Sequence, residues 1–422
     1  MSARGEGVVA RPESAVSSSL LPLDGFTVVA VEQAVAAPLA TRQLADLGAR
    51  VIKVERVGEG DFARNYDHAV HGQASHFVWL NRGKESIAVD LKSERGVAIV
   101  RELLDRADVL VHNTAPGAME RLGLDPHALH RRYPRLVIGC ISGYGTAGPL
   151  RDRKAYDMLI QAESGLISVT GTPETATKTG VPSADIAAGL YTAQAVLAAL
   201  LRRARTGVGA LVDISMFDAT VEWLGHPMYM QLYAGVQVPR MGLGHAAIAP
   251  YDRYPTADGD ILIGVQNDRG WRALVSDVFG RPDLVDHPDF ATNPLRVAHR
   301  SACDATVAAL TRRFTTADLD RRLAAAGIPA ASINDMAALA EHPQLRERDR
   351  WREIATPSGP IAALLPPTTF HDVELALGAI PALGQHTRAL LSEIGCAPET
   401  VEELIADGVV AGADRVENAR GA

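Results

Sequence analysis

From Phe26 onward, short runs of β-branched residues alternate with stretches of helical period, and no other feature restricts the possible folds so strongly. Phe26–Val31, Arg50–Val54, Ser86–Val89, Val109–His112, Leu136–Ser142 and Ala210–Ser215 read as strands. Pro38–Leu47, Ser93–Arg106, Tyr156–Val169, Ile186–Arg205 and Met216–Tyr233 read as helices. The first has a proline near its start, where a missing N–H costs nothing. Parallel strands need a crossover long enough to hold a helix, so this order builds a parallel sheet with helices on both faces. The expected fold class is α/β, with a large doubly wound, Rossmann-like domain.

At Arg240–Pro250 the texture changes: Gly242-Leu-Gly244-His245 leads into an alanine-rich stretch that reads as a linker. Beyond it, the apolar run Ile261–Val265 and amphipathic helices near Trp271–Phe279, Cys303–Phe314 and Asp318–Ala326 describe a smaller α+β region. After Ile333, proline-rich loops lead to Leu375–Leu383, which suits either domain. A chain of 422 residues accommodates two or three domains.

Several function classes are excluded at this level. Lys and Arg total 42 against 50 Asp and Glu, a formal charge of −8, which leaves no basic surplus for a phosphate polymer, so no nucleic-acid partner is expected. The longest apolar stretch, Ile186–Leu201, contains Tyr191, Thr192 and Gln194 and ends at Arg202-Arg203, and the first 22 residues show no secretory pattern. No membrane partner and a cytoplasmic location are expected. Cys140, Cys303 and Cys396 lack C-x-x-C spacing, which suits buried thiols in a reducing compartment. The turn after the first strand, Glu32-Gln-Ala-Val-Ala-Ala-Pro38, has no glycine for a dinucleotide pyrophosphate; Gly58-Glu-Gly60 is only a partial match, and no phosphate-cradling P-loop exists. His68-x-x-His71 and His127-x-x-His130 lack a third ligand, so no metal is expected. Ser142 is one position out of register with a nucleophile elbow.

Other segments fit together. Ala36-Ala-Pro38, Leu47-Gly-Ala-Arg-Val-Ile-Lys-Val-Glu-Arg56 and Gly60-Asp61 are followed by Asn81-Arg-Gly-Lys84 with Asp90-Leu-Lys92. Asn113-Thr-Ala-Pro-Gly117 with Arg121-Leu-Gly123, and then Ser142-Gly-Tyr-Gly145, complete the series. In order and spacing, over about Leu23 to Leu391, this resembles the family III CoA-transferases of the CaiB/BaiF type, which include formyl-CoA transferases and, as relatives, α-methylacyl-CoA racemases.

The resemblance implies a covalent carboxylate nucleophile at Asp185, in Pro182-Ser-Ala-Asp-Ile-Ala-Ala-Gly189. A carboxylate suits the task because attack on a thioester gives a mixed anhydride and a thiolate, and thiolate return gives an enzyme-bound thioester open to a second acid. Asp185 immediately precedes an apolar helix, whose dipole would favour the ionised form; from local sequence alone it also reads as a plain helix cap. The resemblance further implies CoA contacts from Arg56, Val89, Asn113, Thr114, Ala118, Arg121, Leu122 and Lys154, and acyl-side positions at Val35, Tyr66, His76, Tyr156 and Asp157. Gly242, Gly244 and His245 resemble a mobile loop that closes over the nucleophile. Coenzyme A or acyl-CoA is then a substrate, with no tightly bound cofactor.

Where the oxalate enzymes carry glutamine, this chain has Val35, which turns the expected acceptor toward four- and five-carbon dicarboxylates such as succinate, itaconate, mesaconate, malate or citramalate. Racemases of this fold need a histidine where Tyr156 stands; a racemase and a non-catalytic CoA-binding protein are the alternatives. The implied architecture is a large domain at residues 23–225 completed by a return segment at 336–400, a linker with the glycine loop at 226–250 and a small domain at 251–335. Residues 1–22 and 401–422 are expected to be flexible, and the assembly an interlocked homodimer.

Overall fold

The computed structural model describes residues 20–375 and 377–413. Contacts divide the chain into two compact units. The first runs to Lys154, resumes at Asp185–Met216 and again from Trp351; the second comprises Ala155–Ala184 and Phe217–Arg350.

In the first unit, β1 (Thr27–Val31) leads through α1 (Ala36–Asp46) to β2 (Arg50–Glu55). Helix α2 (Ser75–Leu80) precedes β3 (Lys84–Val89), and α3 (Glu94–Leu104) precedes β4 (Val109–His112). Then come α4 (Ala118–Arg121), α5 (Pro126–Arg132) and β5 (Val137–Ser142). Two short helices, α6 (Asp157–Glu163) and α7 (Leu166–Val169), lie in the second unit before the long α8 (Ser183–Thr206), which leads to β6 (Ala210–Ser215). These six strands are parallel and adjacent in the order β3-β2-β1-β4-β5-β6. Chain order reverses between β1 and β4, which creates a switch point at the sheet's carboxyl edge. Strands β1–β5 are buried on both faces, as Val28, Val29, Val111 and Ile138 show, because helices cover both; β6, at the edge, is only half-buried. The expected strands are present to within two residues at their ends.

Three expectations change. The helix expected over Tyr156–Val169 is broken at Gly165, whose φ of +89° ends one helix and starts the next. Met216–Tyr233 is likewise broken, into α9 (Met216–Val221), a 3₁₀ turn and α10 (Gly225–Ala234). The tail expected to be flexible from residue 401 is ordered to residue 413: a helix over Pro398–Ala406 packs Val401, Leu404 and Ile405 into the main core and leads to a final strand at Val410–Ala411. That strand pairs antiparallel with β3, Val410 opposite Val89. Residues 1–19 and 414–422 of the expected flexible ends lie outside the described residues.

The second unit has its own core around Trp271, Ile261, Ile263, Val307 and Leu319, built on an antiparallel sheet of β7 (Tyr251–Pro255), β8 (Asp260–Gly264) and β9 (Ala330–Ala331). Helix α8 is the one helix among the described residues that is long and apolar enough to cross a membrane, and half of that apolar window is buried against protein.

Candidate active site

The site begins where β1 ends. The chain turns through Glu32–Val35 into α1, and Ala34 adopts φ +62°, a left-handed conformation that costs an alanine energy. Two side chains from elsewhere hold the turn. Asn113, the residue after β4, accepts a hydrogen bond from the Gln33 N–H (3.0 Å) and donates to the Gln33 carbonyl (2.8 Å). Asp61, beyond β2, accepts from the Ala34 N–H through Oδ1 at 3.0 Å.

Beneath the turn lies a buried ionic cluster. Lys53 Nζ is 2.8 Å from Asp61 Oδ2 and 3.3 Å from Glu32 Oε1; Lys84 Nζ is 2.6 Å from Glu32 Oε1. Arg64 pairs with Glu55 at 2.7 Å, and the Ser86 hydroxyl donates to Glu55 at 2.6 Å. Three carboxylates thus face three cations, the arrangement in which charges tolerate burial. Burial alone would raise the Glu55 carboxyl, but Arg64, Lys53 and Ser86 outweigh it and hold it at about 2. Glu32 is also lowered: burial opposes ionisation, and Lys53, Lys84 and Thr41 favour it more. Burial pushes Lys84 down to about 8 against the pull of Glu32.

Above the cluster opens a cavity of about 520 Å³, walled by Val31 at the end of β1 and Gln33 beyond it, Arg56 and Gly60 after β2, Val89 at the end of β3 and Lys92 beyond it, and Thr114 and Leu122 after β4. It therefore lies at the carboxyl ends of the strands beside the switch point, where open α/β sheets take ligands. Of the expected CoA contacts, Arg56, Val89, Thr114 and Leu122 line it. Asn113 instead clamps the turn. Ala118 starts α4, Arg121 lies over the Pro116 carbonyl, and Lys154 is exposed at the end of a chain segment; none of these three lines the cavity. Lys92 was not among the expected contacts; its motif, Asp90-Leu-Lys92, was the available signal.

Asp185 lies in the first turn of the 24-residue α8. Its neighbour Ile186 packs on the cluster of Val35, Leu39 and Leu80, together with Ala34. Val35 is therefore a buried packing residue. Four residues further on, Gly189 lies so close to α1 that a Cβ there would sit 2.7 Å from the Ala36 carbonyl. The nucleophile candidate thus shares a packed seam with the turn that borders the cavity.

In the second unit, Asp157 accepts from the Ala184 N–H at 2.8 Å and from Gln161 at 2.7 Å, so a carboxylate meets an otherwise unpaired N–H at the head of α8. Tyr156 is exposed. Gly242 adopts φ +64° and donates to the Gly171 carbonyl at 2.8 Å, and His245 stacks on Tyr251. In the first unit, Tyr66 meets His76 edge to face at 5.5 Å.

Sheet order and cavity define a doubly wound α/β protein with an open cavity at its topological switch point, the place where such sheets take ligands. The chain belongs to CoA-transferase family III, whose family model matches residues 23–387. It is an enzyme, a CoA-transferase. It is 34% identical to succinyl-CoA:glutarate CoA-transferase of Mus musculus, over 97% of this chain and 94% of the relative. It is 36% identical to acetyl-CoA:oxalate CoA-transferase of Acetobacter aceti, over 90% and 97%. Other relatives are named for citramalate and mesaconate. A CaiB/BaiF family protein from Brucella suis superposes with a TM-score of 0.79 at 36% identity, covering 89% of this chain and 100% of that one.

Proposed function

We propose that the protein moves CoA from succinyl-CoA to a C4 or C5 dicarboxylic acid, with Asp185 as covalent relay and the switch-point cavity as the site of the nucleotide end of CoA. The observation that carries this reading is the packing of Asp185's helical turn against the turn bordering the cavity. The relatives named for glutarate, citramalate and mesaconate support the acceptor class.

In the reaction, an Asp185 oxygen attacks the thioester carbonyl, the C–S bond breaks, and a mixed anhydride and CoA thiolate form. The thiolate attacks the aspartyl carbonyl, expelling succinate and leaving an aspartyl–CoA thioester. The acceptor's carboxylate displaces the thiolate to give a second anhydride, whose acceptor carbonyl the thiolate then attacks. That step releases the new acyl-CoA and regenerates the carboxylate. Arg56 and Lys92 at the cavity rim supply positive charge for CoA phosphates.

The proposal includes an interlocked homodimer. Leu190, Leu197 and Leu201 leave an apolar stripe exposed along α8, and α10 exposes Met228, Tyr229, Leu232 and Tyr233, which is more than isolated surface residues explain.

The test is succinyl-CoA offered to a panel of glutarate, itaconate, mesaconate, malate and citramalate, with oxalate as control, for wild type and Asp185→Ala. Turnover with a dicarboxylate of the panel is expected, with a loss of roughly 10³-fold or more in the variant. Turnover with oxalate alone overturns the acceptor assignment, and an active Asp185→Ala overturns the nucleophile.

A further inference from the structure

The turn between β1 and α1 belongs both to the cavity and to the seam under Asp185, and its conformation is one that an alanine does not keep unaided. Ala34 holds φ +62°, and the described residues contain only two other non-glycine residues with positive φ, His71 and Asp349. Gln33, just before it, lines the cavity, and Val35, just after it, packs with Ile186 of α8. Such strained backbone persists only where surrounding groups over-determine it.

Asp61 does this. Its Oδ1 accepts from two backbone N–H groups, Ala34 (3.0 Å) and Ala63 (2.9 Å), and so ties the β1–α1 turn to the turn after β2. Its Oδ2 receives Lys53 at 2.8 Å. The side chains of Lys53 and Asp61 are both wholly shielded from solvent, so neither water nor a mobile surface group can substitute for either. Asp61 is one of the residues lining the cavity, but its side chain is wholly shielded and every hydrogen bond of its carboxylate goes to Lys53 or to the backbone, so the carboxylate acts through the backbone.

We propose that Asp61 is a positioning residue for group transfer: braced by Lys53, it pins Ala34 in the left-handed conformation and so sets the register between the CoA cavity and the first turn of α8. This rests on the reading of Asp185 as nucleophile and goes beyond it, because it assigns a rate-setting role to a buried group outside the reacting atoms. Displacement of reacting groups by about an ångström can cost roughly 10²-fold in rate.

In Asp61→Asn the two backbone N–H groups still find an amide oxygen, but the amide's N–H groups then face the Lys53 ammonium, so the side chain cannot serve both sides. The expected result is folded protein with kcat lowered about 10- to 100-fold and KM for the acyl-CoA within about threefold of wild type. Glycine takes φ +62° without strain, so adding Ala34→Gly should restore kcat by about fivefold or more. Rescue through Ala34 is an effect that general loss of stability would not give. If Asp61→Asn keeps wild-type kcat, or if the double variant is no faster than Asp61→Asn, the inference falls. Should Asp61→Asn not accumulate as folded protein, Asn113→Ser loosens the same turn from its Gln33 side without stranding Lys53. The same selective loss of kcat is expected there, and a wild-type kcat overturns the proposal. Asp185→Ala in the same assay separates the two ideas: activity in that variant defeats the nucleophile reading, whereas the Ala34 rescue bears on Asp61 alone.

Discussion

Glu55 shows at the scale of one residue how charge is kept in the core of this enzyme. Its carboxyl is held at about 2 in the folded chain against 4.5 unfolded. The folded state therefore binds fewer protons than the unfolded one between those values, and the stabilisation, about 3 kcal/mol above pH 4.5, is lost as pH falls toward 2. Glu55→Gln lacks this contribution throughout. Its thermal unfolding midpoint should lie below wild type at pH 7, and the two should converge between pH 4.5 and 2; a gap that stays constant over that range contradicts the assignment. Single residues were the least legible feature of the sequence. Asp185 is singled out only by the motif around it, and Asn113 only by its place in Asn113-Thr-Ala-Pro-Gly117. Sequence spacing carries no side-chain direction, so the hold of Asn113 on both the N–H and the carbonyl of Gln33 was not visible in it. Gly60-Asp61 was visible as a motif, but its hold on Ala34 depends on two turns meeting in space.

Elements were far easier to read. Five of the six parallel strands follow from apolar runs buried on both faces, and β6 from Leu211, Val212 and Ile214 at the sheet edge. The final strand has only two residues, too short for any period to show, so the edge of the sheet beyond β3 was invisible. Breaks inside Tyr156–Val169 and Met216–Tyr233 escaped because the apolar period continues across them. The contact of α8 with α1 makes a direct prediction. A Cβ at Gly189 would lie 2.7 Å from the Ala36 carbonyl and 3.1 Å from Leu39 Cβ, backbone on one side and packed core on the other. Gly189→Val should force the two helices apart, lowering stability by about 1–3 kcal/mol and slowing turnover, since Asp185 rides on the same helix. Thermal unfolding and a transferase assay read both effects, and a variant matching wild type in each contradicts this account of the packing.

At the scale of the whole molecule, the chain's discontinuity was implied by resemblance rather than by composition or period, and the unit boundaries at Lys154, Asp185, Met216 and Trp351 match no change of texture. The exposed leucines of α8 and the Met and Tyr residues of α10 give the homodimer proposal its measurable form. Sedimentation should return twice the 44.9 kDa of one chain. Charge placed at Leu201 and Leu232 should shift the mass toward that of a single chain; a wild-type enzyme that sediments as a monomer at micromolar concentration contradicts the proposal.

The cavity's walls also come from distant parts of the chain. Most of its lining lies between Val31 and Leu122, yet Gly408 belongs to it too, and the strand just after Gly408 closes the sheet beside Val89. On the ribosome, the cavity therefore stays unfinished until synthesis has passed Gly408. If the cavity is the nucleotide site proposed above, a chain still emerging carries Arg56 and Lys92 before the wall at Gly408 exists, so CoA would be captured only once that late segment has folded.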